Sequence, residues 1–176
     1  GMGSSLATTS PAARNALATA DAVLGIGLSD LMANGPAETL EDTFNAQPAI
    51  LAASIAAIGA IEEALGEALK PAMVAGHSLG EFSALVVAGV LSYEDALRLV
   101  RERGRIMKAA GETAPGAMAA VLGLDDGVLE AVCREASSEG IVVLANRNCP
   151  GQTVISGDVA ALERASELAK ERGAKR

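Results

Sequence analysis

Pro71-Ala-Met-Val-Ala-Gly-His-Ser-Leu-Gly-Glu-Phe-Ser-Ala-Leu-Val-Val-Ala-Gly-Val-Leu-Ser92 is the stretch around which the rest of the chain is read. The apolar run Ala72 to Ala75 predicts the end of a buried strand, and Leu79 to Ala88 predicts a helix that is apolar nearly all round. Between them, Gly76-His77-Ser78-Leu79-Gly80 fits Gly-x-Ser-x-Gly, the turn that carries a nucleophilic serine at its apex. In so tight a turn a side chain two residues to either side would collide with the strand or the helix, so glycine is expected at 76 and 80. The same turn aims the first N–H groups of a helix at the serine. Leu79 N–H is then placed to hold the oxygen of a tetrahedral intermediate. The alternative is a Gly-rich structural turn that matches by chance.

The whole chain has 176 residues, enough for one or two domains with a real core. Half of it is hydrophobic but only 2% is aromatic, so that core must be built from Ala, Val, Leu and Ile. A net charge of -8 leaves no basic footprint, which argues against nucleic acid and an anionic membrane as partners. The uncharged run Ala49 to Ile61 is too short to span a bilayer and reads as a buried helix. Cys133 and Cys149 fall in no metal or redox spacing. They predict packing residues in a reducing compartment; a cytoplasmic location, with no metal and no cofactor, is the expectation for the chain. The opening Gly1-Met2-Gly3 has no signal-peptide character, and the chain reads as cut from something longer.

In order along the chain, Pro11 to Leu24 has helical spacing behind Ser10, and Gly25-Ile-Gly27 breaks it. Short helical pieces around Leu28 to Met32 and Leu40 to Phe44 flank a turn at Asn34-Gly35-Pro36. Gln47-Pro48 then opens a helix from Ala49 to about Leu69, which Lys70-Pro71 ends. Ser92 to Asp95 is a capping box starting a helix to about Ala110. At about 100° per residue, Ala96, Leu99, Val100, Ile106, Met107 and Ala110 fall near Arg103, whereas Arg98, Arg101, Arg105 and Lys108 point away. Arg103 is therefore expected at the centre of the buried face, where a guanidinium needs an anion. Either a structural carboxylate or a bound ligand would serve, and the helix alone favours the first.

Composition shifts at Gly111 to Gly116, which predicts a division into residues 1–115 and 116–176. The second part reads as strand Ala117 to Leu122, helix Asp126 to Ser137, strand Ile141 to Ala145, strand Gln152 to Ser156, and a helix capped by Asp158. That order is a split βαβ unit lacking its final strand.

Gly76 to Leu85, Arg103-Gly-Arg-Ile-Met107, Gly116-Ala-Met-Ala-Ala120 and Asn146-x-Asn-x-Pro-Gly-Gln-x-Val-Ile-Ser-Gly157 together resemble the bacterial malonyl-CoA:acyl-carrier-protein transacylases of fatty acid synthesis. Gln47-Pro48-Ala49 and Gly1-Met2-Gly3 also fit that pattern, and the match is collinear over the whole chain. The resemblance implies an α/β fold, with an α/β-hydrolase-like large subdomain and an inserted ferredoxin-like small one, both incomplete here. It implies a monomer that moves malonyl from malonyl-CoA, through an ester on Ser78, to the phosphopantetheine thiol of acyl carrier protein. It assigns Arg103 to the malonyl carboxylate, reversing the preference for a structural partner, and Leu79 N–H to the oxyanion. The family's glutamine donor and general-base histidine would lie before Gly1 and after Arg176, so these 176 residues alone are expected to turn over little. His77, beside Ser78 in the turn, is expected to point away and to pack or orient. The alternatives are an acyltransferase domain of a polyketide synthase, a serine esterase, or a non-catalytic remnant that binds acyl-CoA or carrier protein. Reaction with an acyl donor separates the last from the others.

Overall fold

Ser10 and Pro11 begin the first long helix as their chemistry requires. In the computed structural model, which describes residues 2–176, Ser10 Oγ accepts the Ala13 N–H at 3.1 Å and Pro11 occupies the first turn, where its missing N–H costs nothing. The chain divides into two compact units, residues 1–109 and 110–176, with Gly1 outside the described residues. The composition shift had suggested a division near Gly116.

Unit 1 is helical among its described residues. It contains α1 (Ser4–Thr9), α2 (Pro11–Leu24), α3 (Leu28–Asn34), α4 (Ala37–Glu41), α5 (Thr43–Leu65), α6 (Gly80–Val87) and α7 (Tyr93–Thr113), which runs across the division. Its core gathers Ala13, Leu17 and Ala20 of α2, Leu28 and Met32 of α3, Ala49, Leu51, Ala52 and Ala56 of α5, Leu79, and Ala96, Leu97 and Val100 of α7. Small residues bring α2 and α5 together: a Cβ on Gly59 would lie 3.3 Å from Ala12 Cβ. The Glu63 carboxylate of α5 takes the Ser10 hydroxyl at 2.5 Å and the Ala12 N–H at 3.2 Å, tying it to the start of α2. These two bonds hold the Glu63 carboxyl below its ordinary range, the Ser10 hydroxyl contributing most.

Four expectations are corrected here. Ala72 to Ala75 forms no strand and is exposed, because among the described residues of unit 1 no partner strand takes up its N–H and C=O groups. Gly66 in the left-handed region (φ 74°) ends α5 at Leu65, before Lys70-Pro71 is reached. The helix also starts earlier, at Thr43, behind the Asp42 cap, and reaches 23 residues with a mean hydropathy of 1.6 over its most apolar window. By length and composition alone that is enough to cross a membrane; here six of its residues are buried in unit 1. Pro48 consequently lies inside the helix, where it cannot donate to the Phe44 carbonyl four residues back. Arg101 of α7 supplies the missing donor, its Nη1 lying 2.8 Å from that carbonyl and 2.6 Å from Asn45 Oδ1, with the guanidinium 3.3 Å above the Phe44 ring. Burial lowers the Arg101 pKa, with the Asp42 charge opposing.

Arg101 was expected to face away, and the reason it does not is the fourth correction. The buried line of α7 runs Ala96, Leu97, Val100, Gly104, centred roughly 75° around the helix from Arg103. Gly104 sets it: an added Cβ would lie 2.7 Å from the Thr43 carbonyl oxygen and 2.9 Å from Phe44 Cα. A residue without a side chain contributes nothing to a hydrophobic pattern, so the point of closest approach was invisible to it. Leu99, Ile106 and Met107, read as inward, are exposed, and Arg103 is half-buried at the edge.

Unit 2 holds β1 (Ala117–Leu122), α8 (Asp126–Ala136), β2 (Val142–Cys149), β3 (Gln152–Gly157) and α9 (Val159–Glu171). The sheet order is β1-β3-β2, with both pairings antiparallel, so β1 and β2 run parallel on either side of β3. This is the β-α-β-β-α order read from the sequence, and with the helices of unit 1 it makes the chain mixed α/β as expected. Pro150-Gly151, with Gly151 at φ 79°, closes the β2–β3 hairpin. Lys175 N–H and Arg176 C=O bond to Leu122 O and N, both at 2.8 Å, at the end of β1. Asp158 makes no side-chain cap; its carboxylate accepts the Ile141 N–H at 2.8 Å and fastens the entry to β2. Cys133 is buried in this core, which pushes its thiol pKa up, whereas Cys149 is exposed, so the packing role expected of both holds for Cys133 alone.

Candidate active site

Ser78 is the one non-glycine residue with positive φ among the described residues, at 53°. A left-handed L-residue costs about 1–2 kcal/mol, so the surrounding backbone must impose it. Gly76 shows how. A Cβ there would stand 2.0 Å from the Gly80 carbonyl carbon and 2.3 Å from the Glu81 nitrogen, so only glycine lets the incoming chain pass the first turn of α6. The expectation for Gly80 does not hold within this chain, since a Cβ on it would meet nothing within 4 Å. Its backbone, rather than its side-chain space, is the part the turn uses.

The turn closes through Gly80 N–H to His77 O at 2.8 Å and Glu81 N–H to Ser78 O at 3.3 Å. Among the described residues no backbone acceptor meets the Leu79 N–H, while the Leu79 side chain is buried in the core of unit 1 and anchors the turn. The result is an exposed hydroxyl beside an uncommitted N–H at the start of an eight-residue helix. His77 is exposed and makes no side-chain bond to Ser78 among the described residues. Being exposed, it does not fill the packing role expected of it.

Arg103 reaches this turn from α7. Its Nη2 donates to Ser78 Oγ at 3.0 Å and its Nη1 to Gln47 Oε1 at 2.5 Å. The partner of the guanidinium is thus a neutral amide rather than a structural carboxylate, and the positive charge stays available beside the serine. Gln47 is a site residue to which the sequence reading gave no role. It is 5% exposed, and its Nε2 donates to Thr43 Oγ1 at 2.8 Å and to Met107 Sδ at 3.3 Å. The clue was present: a lone amide at the head of a long uncharged run needs a polar partner once buried.

Chemically, the arrangement is an exposed hydroxyl, a helix-start N–H without a backbone acceptor among the described residues, and a guanidinium held beside them. Among the described residues the side chain bonded to the Ser78 hydroxyl is Arg103, and a guanidinium only donates, so it takes up no serine proton. Among the described residues no three His, Cys, Asp or Glu side chains come together to hold a metal ion.

The sequence model of the acyl transferase domain family matches residues 1–176. A malonyl CoA-acyl carrier protein transacylase of Bacillus subtilis is 50% identical over the whole chain, which covers 55% of that protein. The crystal structure of an acyl-carrier-protein S-malonyltransferase from Bartonella henselae superposes with a TM-score of 0.94 at 46% identity, over all of this chain and 56% of that one. A malonyl-transacylase in complex with its type II PKS acyl-carrier protein gives 0.91 at 44% identity, again over 56% of that chain. The chain therefore spans about half the length of these relatives.

Proposed function

This chain belongs to the acyl transferase domain family, and we propose that it carries the nucleophile and the carboxylate receptor of a malonyl transferase acting between malonyl-CoA and acyl carrier protein in fatty acid biosynthesis. Ser78 Oγ adds to the thioester carbonyl as its proton passes to an acceptor, giving a tetrahedral oxyanion; collapse of that oxyanion breaks the C–S bond, and the sulfur takes up the proton as CoA leaves as its thiol. The phosphopantetheine thiol of the carrier then attacks the seryl ester, and Ser78 recovers its proton. Leu79 N–H holds the oxyanion in both halves.

Arg103 gives the substrate class. A malonyl group on Ser78 carries a carboxylate one methylene beyond the ester carbonyl, within reach of a guanidinium already 3.0 Å from Oγ. The fork of Arg103 suits two carboxylate oxygens, which acetyl lacks. The serine proton needs an acceptor outside this set, and the family resemblance assigns it to a histidine in the part of the relatives this chain does not span. The single observation that supports the reading is the left-handed Ser78 bonded to Arg103. An esterase has no use for that cation, and a purely binding remnant has no use for the strained serine. The free Cys133 and Cys149 agree with a reducing, cytoplasmic setting.

Incubating the native full-length protein with malonyl-CoA and digesting it for mass spectrometry tests the reading. A malonyl adduct on the Ser78 peptide, lost in Ser78→Ala, is expected; an adduct elsewhere, or none, contradicts it.

A further inference from the structure

We propose that Met107 is a positioning residue for Arg103, its thioether fixing which end of the Gln47 carboxamide faces the guanidinium. The proposal rests on the reading of Arg103 as the carboxylate receptor. Gln47 is a buried amide with three neighbours of different hydrogen-bonding character. Arg103 can only donate, and it meets Oε1 at 2.5 Å. Thr43 hydroxyl, 2.8 Å from Nε2, can donate or accept, so it tolerates either end of the amide. Met107 sulfur, 3.3 Å from Nε2, can only accept and therefore demands the NH2 end. Two N–H protons thus meet two acceptors while the carbonyl is left wholly for Arg103.

The helix geometry makes this possible. Met107 follows Arg103 by four residues, so both side chains lie on one face of α7, one turn apart, bracketing Gln47. Removing the sulfur leaves one buried N–H without a partner. The amide then turns to find another acceptor, and Arg103 loses the fixed bond that aims its second nitrogen at Ser78. Since the carboxylate contact is made in both ground and transition states, the loss appears in binding rather than in the chemical step.

The test is steady-state transfer from malonyl-CoA and from acetyl-CoA by the native full-length protein carrying Met107→Leu, Met107→Gln or Arg103→Ala. Met107→Leu keeps the bulk and removes the acceptor; it is expected to raise the malonyl-CoA KM by roughly 3- to 10-fold, with kcat and the acetyl-CoA KM within about twofold of the parent. Met107→Gln places a carbonyl at similar reach and should return the malonyl-CoA KM towards the parent value, which a packing role would not. Leucine behaving as the parent, or glutamine and leucine being equally impaired, overturns the positioning role while Arg103→Ala still loses malonyl preference. If Arg103→Ala keeps that preference, the receptor reading fails and this inference falls with it.

Discussion

The two glycines of the Ser78 turn, alike in the sequence motif, have different work. Gly76 is held by backbone 2.0 Å from where its Cβ would be, and no small movement of the Gly80 carbonyl makes room for a methyl. Gly76→Ala should therefore undo the left-handed Ser78 and abolish adduct formation. Gly80→Ala in this chain should leave the melting temperature unchanged or slightly higher, since alanine is the better helix former and meets open space. Circular dichroism melts of the two variants check the contrast, and equal losses would count against it. Tyr93 is a second residue with a defined contribution. Its hydroxyl donates to Ala16 O at 3.1 Å, joining α7 to α2, and burial, with Asp21 and Glu94 adding to it, raises its pKa. Tyr93→Phe should cost about 1 kcal/mol in denaturant unfolding. Because the folded value lies above the ordinary 10.0, the unfolded chain ionises first. The Tyr93 contribution is complete below pH ~10 and is lost as pH rises beyond it, and Tyr93→Phe should lose that alkaline sensitivity.

At the scale of elements, α7 meets the first turn of α5, and that seam positions the site. Gly104 lets the backbones approach, Arg101 answers the carbonyl that Pro48 leaves open, and Arg103 then reaches both Gln47 and Ser78. Gly104→Ala should destabilise by about 1–3 kcal/mol, because a Cβ 2.7 Å from the Thr43 oxygen forces α7 outward and outweighs the helix-propensity gain of up to about 1 kcal/mol. Chemical denaturation measures it; a neutral or stabilising alanine would mean that α7 is free to shift. This seam also marks where the sequence stops being legible. The Ser78 turn, the Ser10 and Ser92 caps and the β2–β3 hairpin were readable because each depends on neighbours close in sequence, and the element order of unit 2 was readable from the alternation of strand and helix patterns. Arg101, Gln47 and Gly104 depend on a contact between residues more than 50 apart, and glycine and glutamine leave no mark in a hydrophobic period. Ala72 to Ala75 failed for a related reason: a strand is a property of its partner as well as of its own residues.

For the molecule as a whole, acid should loosen unit 1 through two of its carboxylates. Asp42 is lowered chiefly by its hydrogen bond from Lys108 and then by the Phe44 N–H, and Glu63 chiefly by Ser10. Both folded values lie below the ordinary 3.8 and 4.5, so the unfolded chain takes up protons first as pH falls. Their contribution is complete above about pH 5 and is lost through and below pH 4, more shallowly in high salt because Glu63 is exposed and Asp42 only half-buried. Asp42→Asn and Glu63→Gln should each flatten the acid limb of the stability curve. Unit 1 joins the strained serine, the buried amide and the cation, and the direct question is whether that cation reads a carboxylate. The measurement is the ratio of kcat/KM for malonyl-CoA to that for acetyl-CoA in the native full-length protein and in Arg103→Ala. A fall of about 100- to 5,000-fold in the ratio, the worth of roughly 3–5 kcal/mol for one side of a buried charge pair, is the expected result. An unchanged ratio in a folded variant, with both substrates equally slowed, would contradict it.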